Sequence, residues 1–404
     1  MKKIRVLLTG GGTGGHIFPL IAVAQELKRQ SDGLGLFLDM RYFGSAYEYA
    51  REIVENDIEF VPAISSKLRR YWSPLNLIDA FKFLLSLSQL LWKIFWFMPD
   101  VIFSKGGPGA LAVILIGRFY RIPVVIHESD SISGLTNKIS GILAKKIFLA
   151  FSSAGKYFSS GGGSAFGGKN KDIEVVGNPV RESLFRQASS LSFNGEEMII
   201  QAKKGFGLDI NIPIILVLGG SQGAEPLNSF IMENLESLVE NFQVIHQVGN
   251  RNYDEYKKEF EFVAKEWTDT EKDRYIFRPF FSSGGGSSSG GDILADALLA
   301  ADIVVARAGA GTIFEIAAFG KPSILIPLPE SANDHQNGNA RFYNQTGAAI
   351  VIQQGNLLES LFLKELGDLI NDKNLLKKMS DAAKSFYRPD AAKIIARHLL
   401  TYVS

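Results

Sequence analysis

In a chain of 404 residues with five histidines and no cysteine, few side chains can exchange a proton near neutral pH. His16 is one, since an unperturbed imidazole titrates near about 6.5. It closes the run Gly10-Gly11-Gly12-Thr13-Gly14-Gly15-His16. Glycines there let the backbone turn sharply and come close to a ligand, and the helix that follows aims free N–H groups and a positive dipole end at it. The spacing Gly10 to Gly15 fits G-x-G-x-x-G, a pattern shared with dinucleotide enzymes. The acidic ribose partner of those enzymes, about twenty residues further on, has no good candidate, because Asp32 and Asp39 lie in poor contexts. A second cluster is His127-Glu128-Ser129-Asp130, three titratable groups where an apolar run ends, which suits acid–base work. His127 and Glu128 make a poor metal pair, as adjacent strand residues point to opposite faces.

Glycine turns recur. Lys105-Gly106-Gly107-Pro108-Gly109 precedes an apolar helix pattern, and Gly219-Gly220-Ser221-Gln222-Gly223-Ala224 repeats the strand, glycine turn, hydroxyl and helix of the N-terminus. A third instance is Val304-Val305-Ala306-Arg307-Ala308-Gly309-Ala310-Gly311-Thr312, where Arg307 adds a fixed charge suited to phosphate. Thr312-Ile313-Phe314-Glu315 reads as a capping box. Glu315 could equally accept hydrogen bonds from a ribose diol. Asp334-His335-Gln336-Asn337-Gly338-Asn339 offers many donors and acceptors with little charge, as a neutral sugar requires.

The elements that must position these groups alternate. Apolar runs Ile4–Leu8, Asp100–Ser104, Pro123–His127, Lys146–Ala150 and Ile173–Val176 form one series. Ile212–Leu218, Gln243–Gln247, Tyr275–Pro279, Asp302–Ala306 and Pro322–Pro327 form another. Strands separated by helices predict right-handed βαβ units and parallel sheets, with ligands outside the carboxyl ends of the strands. Two series predict two α/β domains, 1–180 and 181–384, joined at Gly177-Asn178-Pro179-Val180-Arg181. A last segment, 385–404, contains the helix Ala391–Leu400 with Asp390 as its N-cap. The Gly/Ser-rich stretches Ser159–Gly168 and Ser282–Gly291 read as insertions inside domains.

Ser73-Pro74 starts a further helical pattern that runs to about Met98. Its polar residues Asn76, Asp79, Lys82, Ser86, Gln89 and Lys93 recur every three or four positions, leaving a wide apolar surface with Leu84, Leu91, Trp92, Phe95 and Trp96. The segment reaches the roughly 20 residues of a spanning helix, but the stripe and its two lysines argue against spanning. With Lys67, Arg69 and Arg70 ahead of it, the expectation is an interfacial patch on an anionic membrane surface; a core helix is the alternative.

Composition excludes several classes. The chain is 46% hydrophobic and 21% charged, with a formal charge of +1. That is a globular composition without the bulk basicity of nucleic-acid binding. The lack of cysteine excludes disulfides, thiolate metal sites and a cysteine nucleophile. Met1–Thr9 is too short and too soon broken by glycine for a signal peptide, so a cytoplasmic location is expected.

Together these segments resemble the MurG-type transferases of cell-wall synthesis. The resemblance rests on Gly11–His16, His127-Glu128, Gly134-Leu135-Thr136-Asn137-Lys138, Gly177–Arg181, Gly219–Ala224 with Asn228, Arg307-Ala308-Gly309, Glu315-Ile316-Ala317, and His335-Gln336 with Asn339, in order over almost the whole chain. It implies the GT-B fold, two Rossmann-like domains with parallel sheets facing across a cleft, the C-terminal helix returning to the first. It implies transfer of N-acetylglucosamine from UDP-GlcNAc to undecaprenyl-diphosphate-MurNAc-pentapeptide (lipid I), giving lipid II in peptidoglycan synthesis with inversion. No cofactor or metal is implied, nor any nucleic-acid partner; the enzyme would lie peripherally on the inner face of the cell membrane.

By the same resemblance Glu315 meets the ribose, Ser221 and Arg181 lie near the diphosphate, and Gln336 and Asn339 meet the sugar. Thr13, His16, Glu128, Asp130 and Asn137 face the acceptor. Gly14, Gly15, Gln222, Asn228 and Arg307 complete the substrate-binding set. His16 leads as general base, with Glu128 and Asp130 as rivals. The family usually has Gln-Asn after His-Glu, where this chain has Ser129-Asp130, and an aromatic and a small polar residue where it has Pro108-Gly109. Four alternatives stay open: a GT-B transferase with diacylglycerol or another lipid as acceptor, a UDP-GlcNAc epimerase, an NAD-dependent oxidoreductase, and a non-enzymatic membrane scaffold.

Overall fold

The computed structural model describes residues 2–65, 75–107, 109–159, 172–220, 223–281 and 292–402. Ser221, Gln222, Pro108, Ser73-Pro74, the basic residues Lys67, Arg69 and Arg70, and nearly all of both Gly/Ser-rich stretches lie outside the described residues.

The chain divides into two compact units, Met1–Arg181 with Arg388–Ser404, and Glu182–Tyr387. Among the described residues the first holds a 7-stranded sheet of β1 (Lys3–Thr9), β2 (Phe37–Gly44), β3 (Glu59–Pro62), β4 (Val101–Ser104), β5 (Val124–Glu128), β6 (Lys146–Leu149) and β7 (Asp172–Val175). Their order is β3-β2-β1-β4-β5-β6-β7, and every neighbouring pair is parallel. The second holds a 6-stranded sheet of β8 (Ile214–Leu218), β9 (Gln243–Gln247), β10 (Tyr275–Arg278), β11 (Ile303–Ala306), β12 (Ser323–Leu325) and β13 (Ala349–Val351), in the order β10-β9-β8-β11-β12-β13. It too is parallel throughout. The central strands β1, β4, β5, β8 and β11 are apolar because helices cover both faces.

Each sheet has a switch point where strand order reverses, and ligands bind outside the carboxyl ends there. In the first it lies between β1 and β4, with Thr9 beside Ser104. In the second it lies between β8 and β11, with Leu218 beside Ala306. All four strands run directly into the glycine-rich turns of the sequence.

β2, β3 and β13 are strands that the apolar runs do not reveal. β2 carries Asp39 and Arg41 mid-strand, and cross-strand ion pairs hold them: Lys3–Asp39 at 2.9 Å and Arg41–Glu59 at 3.0 Å. Asp39 is thus occupied by an ion pair, five residues short of the carboxyl end of its strand. β3 and β13 are short edge strands of four and three residues that the two apolar series did not include. Helix Ala391–Leu400 packs against helix Gly14–Gly33 of the first unit, burying Ile395, Ala396 and Leu399 in its core. Asp390 is its N-cap residue but makes no side-chain capping bond.

Helix Leu75–Phe97 is oriented against the usual amphipathic rule. Three residues of its polar stripe, Ser86, Gln89 and Lys93, face its own domain. Ser86, 1% exposed, donates to the Ile64 carbonyl at 2.7 Å; the Gln89 side-chain oxygen accepts from the Ile64 N–H at 3.1 Å; Lys93 donates to the Pro62 carbonyl. The backbone leaving β3 has no ladder partner on that side, and the stripe satisfies it. Leu90, Ile94 and Phe97 pack inward. Ile78, Phe81, Leu84, Leu85, Trp92, Phe95 and Trp96 stay exposed, Trp96 by 77%. Phe119, also exposed, joins them through Tyr120, whose ring lies 6.2 Å from Phe95.

Candidate active site

In the first unit, β1 ends at Thr9 and the chain turns through Gly10–Gly12 before helix Gly14–Gly33. Thr13 is the N-cap residue, and its hydroxyl is 3.0 Å from His16 Nδ1. If the imidazole donates there, Nε2 is left as the basic nitrogen. Nε2 faces the turn after β4, where a Cβ on Gly107 would lie 3.4 Å away. The two glycine turns touch. That same Cβ would stand 2.7 Å from the backbone N and Cα of Gly11, and Gly107 has φ +86°. Gly106, at φ +77°, leaves room for Asn137, whose Oδ1 would be 2.3 Å from a Cβ there. Only glycine meets both demands, left-handed backbone and close approach.

β5 delivers His127 and Glu128, both buried. His127 Nε2 faces the Gly177 carbonyl at 2.9 Å, so it carries the proton and donates; Nδ1 then accepts from Lys105 Nζ at 2.5 Å. Burial, reinforced by the Lys105 charge, holds the His127 pKa well below its ordinary value, so the ring is neutral. Glu128 accepts from Ser133 Oγ at 2.6 Å, Asn137 Nδ2 at 3.1 Å and the Asp130 backbone N–H at 3.1 Å. Burial and then the Asp130 charge push its pKa up. Asp130 sits at the loop surface, half-buried. Arg181 is 6% exposed with its guanidinium 4.7 Å from the Phe18 ring centroid. The structure thus brings Thr13, Gly14, Gly15 and His16 to one turn, and Glu128, Asp130 and Asn137 to another.

Lys105, Ser133 and Asn178 are members of this cluster that residue types alone did not single out. A lysine directly after four fully buried strand residues was the available signal.

In the second unit, β8 leads to Gly219 and Gly220, and helix Glu225–Glu233 starts after Ala224. Asn228 is fully buried: Nδ2 donates to the Val248 carbonyl at 2.7 Å, which fixes Oδ1 as the acceptor from His246 Nε2 at 3.1 Å. His246 Nδ1 then accepts from the Tyr275 hydroxyl at 2.9 Å. Burial lowers His246 to about 3, and it stays neutral. Asn228 therefore anchors the helix that follows the glycine turn. Arg307 is 7% exposed and donates to the Ile326 carbonyl at 3.1 Å and Gln354 Oε1 at 2.7 Å. It clips together the ends of β11 and β12.

The capping box expected at Thr312–Glu315 is absent. Gly309 is the N-cap and helix Ala310–Ala318 begins before Thr312. The extended Gly309 ends the turn three residues earlier than the side chains suggest, so Glu315 lies half-buried inside the helix, in its second turn.

Beyond β12, Glu330, Asn333 and Asp334 all have positive φ, between 57° and 61°. Such strain in non-glycine residues clusters at functional sites. It shapes the turn before helix His335–Asn344, where Gln336 Oε1 accepts from the Leu328 N–H at 3.0 Å and Asn339 donates to the Ala308 carbonyl at 3.2 Å. Asn339 thus connects the turn after β12 to the Arg307–Gly309 turn. Among the described residues no cluster of His, Asp and Glu could hold a metal ion.

Both units match family models: residues 6–149 the glycosyltransferase family 28 N-terminal domain, and residues 214–395 the family 28 C-terminal domain. A relative from Legionella pneumophila (strain Lens), named UDP-N-acetylglucosamine–N-acetylmuramyl-(pentapeptide) pyrophosphoryl-undecaprenol N-acetylglucosamine transferase, is 34% identical, covering 94% of this chain and 92% of its own. A relative of the same name from Treponema denticola is 32% identical over 98% of this chain and 97% of its own. Among solved structures, Acinetobacter baumannii MurG is similar at 23% identity and TM-score 0.66, covering 98% and 99% of the two chains. A UDP-GlcNAc 2-epimerase from Neisseria meningitidis has the same TM-score at 14% identity, covering 98% and 100%. Fold alone does not separate transferase from epimerase, whereas sequence does. With two parallel-sheet units of the GT-B fold and both domain models matched, the chain belongs to glycosyltransferase family 28 and is a glycosyltransferase.

Proposed function

We propose that this enzyme transfers N-acetylglucosamine from UDP-GlcNAc to an undecaprenyl-diphosphate-linked muramoyl-pentapeptide, with inversion at the anomeric carbon. The observation that carries the reading is the shared name of relatives about one-third identical over nearly the whole chain. The second unit holds the donor. Glu315 accepts from the ribose diol, Gln336 and Asn339 meet the sugar, and Ser221 serves the diphosphate together with Gln222. Arg307 and Asn228 hold the turns that frame it. Helix starts after Gly223 and Gly309 stabilise UDP as it leaves without a metal. In the first unit, Thr13, Gly14, Gly15, Glu128, Asp130 and Asn137 receive the acceptor, and His16 takes its hydroxyl proton. Release of UDP in the presence of the lipid-linked acceptor, and not with diacylglycerol, is the expected result. Interconversion of UDP-GlcNAc without an acceptor would favour the epimerase.

The Glu315 assignment has its own measurement. Glu315→Ala should weaken UDP-GlcNAc binding about tenfold or more, since a charged hydrogen bond contributes about 1.5–3 kcal/mol. The carboxylate does not cap its own helix, and the melting temperature measured in parallel separates a loss of donor binding from a loss of fold. Unaltered donor affinity by calorimetry would remove Glu315 from the ribose.

The acceptor is a lipid, and the exposed face of helix Leu75–Phe97 is our candidate for docking at an anionic membrane surface on the cytoplasmic side. Seven large apolar side chains in water are disfavoured unless something covers them. The nearby cations Lys82, Arg118 and Arg121 suit anionic head groups. The protein should co-sediment with anionic vesicles, less so at high salt. A Trp92→Ser, Phe95→Ser, Trp96→Ser variant should stay in the supernatant while keeping its donor affinity. Equal sedimentation of that variant would exclude the face.

A further inference from the structure

Lys105 is 1% exposed at the carboxyl end of β4, a position where an ammonium normally requires a counter-charge in contact. Its contacts are instead three neutral acceptors: His127 Nδ1 at 2.5 Å, Ser129 Oγ at 2.5 Å and Asn178 Oδ1 at 3.0 Å. An ammonium has three N–H groups and no acceptor, so every donor is used and none is left for a substrate. The three partners come from β5, the loop after it and the segment after β7. A methionine would fill the same space without the cost of burying a charge. What the ammonium adds is orientation, because it obliges three polar groups from three segments to converge on one point.

We propose that Lys105 is a positioning residue for the transfer reaction, holding the loop that carries Glu128 and Asp130 in its working geometry. Glu128 lies between His127 and Ser129, so its backbone is pinned on both sides by the same ammonium. Its carboxylate is then met by Ser133, Asn137 and the Asp130 N–H. Asp130 follows directly, with its backbone N–H fixed on Glu128. Lys105 also fixes the imidazole of His127 from the Nδ1 side, while the Gly177 carbonyl accepts a hydrogen bond from Nε2–H. Burial lowers Lys105, and Glu128 and then Asp130 offset this in part to leave it at about 7, which places the lysine in the field of the two acids it positions. The Ser129-Asp130 pair, where the resembling family usually has Gln-Asn, thereby acquires a physical role: a short hydroxyl that fits beside the ammonium and an acid that helps keep it charged.

This inference rests on the transferase reading of the same site, and the experiment separates the two. UDP release with the lipid-linked acceptor is measured first for the wild type, whose failure would count against the transferase reading alone. Lys105→Met is then expected to lower kcat by about 10²-fold, the scale of a misplacement near 1 Å, while KM for UDP-GlcNAc stays within about twofold. Ser129→Ala removes one of the three contacts and should lower kcat less, in the same direction. A folded Lys105→Met with wild-type kcat would overturn the proposal, as would kcat and donor affinity falling together. Should Lys105→Met not fold, Ser129→Ala decides: a lower kcat at constant donor KM supports positioning, and an unchanged kcat refutes it. Independently of turnover, ring-nitrogen NMR should show neutral, Nε2-protonated His127 in the wild type and a shifted Nδ1 resonance in Lys105→Met. An unmoved resonance would also overturn the assignment.

Discussion

His16→Ala is expected to bind UDP-GlcNAc as the wild type does and to turn over about 10²–10⁴-fold more slowly, the usual contribution of a general base. The reasoning runs from the turn outward. The N-cap Thr13 holds Nδ1 at 3.0 Å, and Nε2 faces the neighbouring turn at Gly107. The rival bases differ in their surroundings. Glu128 is buried and surrounded by three donors, so its oxygens are already engaged. Asp130 is the more accessible of the two. The measurement is single-turnover UDP release at saturating acceptor, with donor affinity determined separately. If His16→Ala retains its rate, the proton goes elsewhere, and Asp130→Asn becomes the variant whose rate should collapse.

Gly107→Ala is expected to disable the same turn chiefly through the Gly11 backbone, its methyl group also lying 3.4 Å from His16 Nε2. An alanine at φ +86° adopts a conformation costing roughly 1–2 kcal/mol for an L-residue. Its methyl group would also meet the Gly11 backbone at 2.7 Å, and overpacking of this kind costs about 1–3 kcal/mol. Backbone cannot swing aside as a side chain can. The Gly10–Gly12 turn must therefore move, and His16 moves with it. We expect kcat to fall about 10²-fold with the second unit's donor affinity preserved and the first unit's melting temperature lowered. A Gly107→Ala enzyme with full activity would show that the two turns need not touch during the reaction.

Much of this was legible in the chain because the central strands of a parallel sheet are apolar on both faces. β1, β4, β5, β8 and β11 therefore stand out as runs that end in chemistry-bearing turns. The strands that went unseen are those for which that physics fails. β2 places charges mid-strand and satisfies them with Lys3 and Glu59 on its neighbours, and β3 and β13 are edge fragments. The turns were identified as ligand-facing from glycine spacing, but the partners inside them were not. Nothing in the residue types indicates that Asn228 reaches His246, or that Lys105 reaches Asn178 across 73 positions. Such contacts depend on strand order, which hydrophobic periodicity does not encode. The supposed cap at Glu315 failed for a local reason: S/T-x-x-E marks a helix start only where the preceding residue does not already begin one, and Gly309 does.

Helix Leu75–Phe97 has a consequence for how such an enzyme would meet its substrate. Because Ser86, Gln89 and Lys93 are fastened to Pro62 and Ile64, the helix cannot leave its domain to thread a bilayer without abandoning those bonds. Attachment through the outer face would be that of a float resting on a surface film: the domain would come and go intact. A substrate confined to the film diffuses in a plane, and an enzyme resting there searches two dimensions instead of three. Its effective concentration would then follow the charge of the film and the salt above it, so that throughput could change with lipid composition while the number of enzyme molecules stays constant.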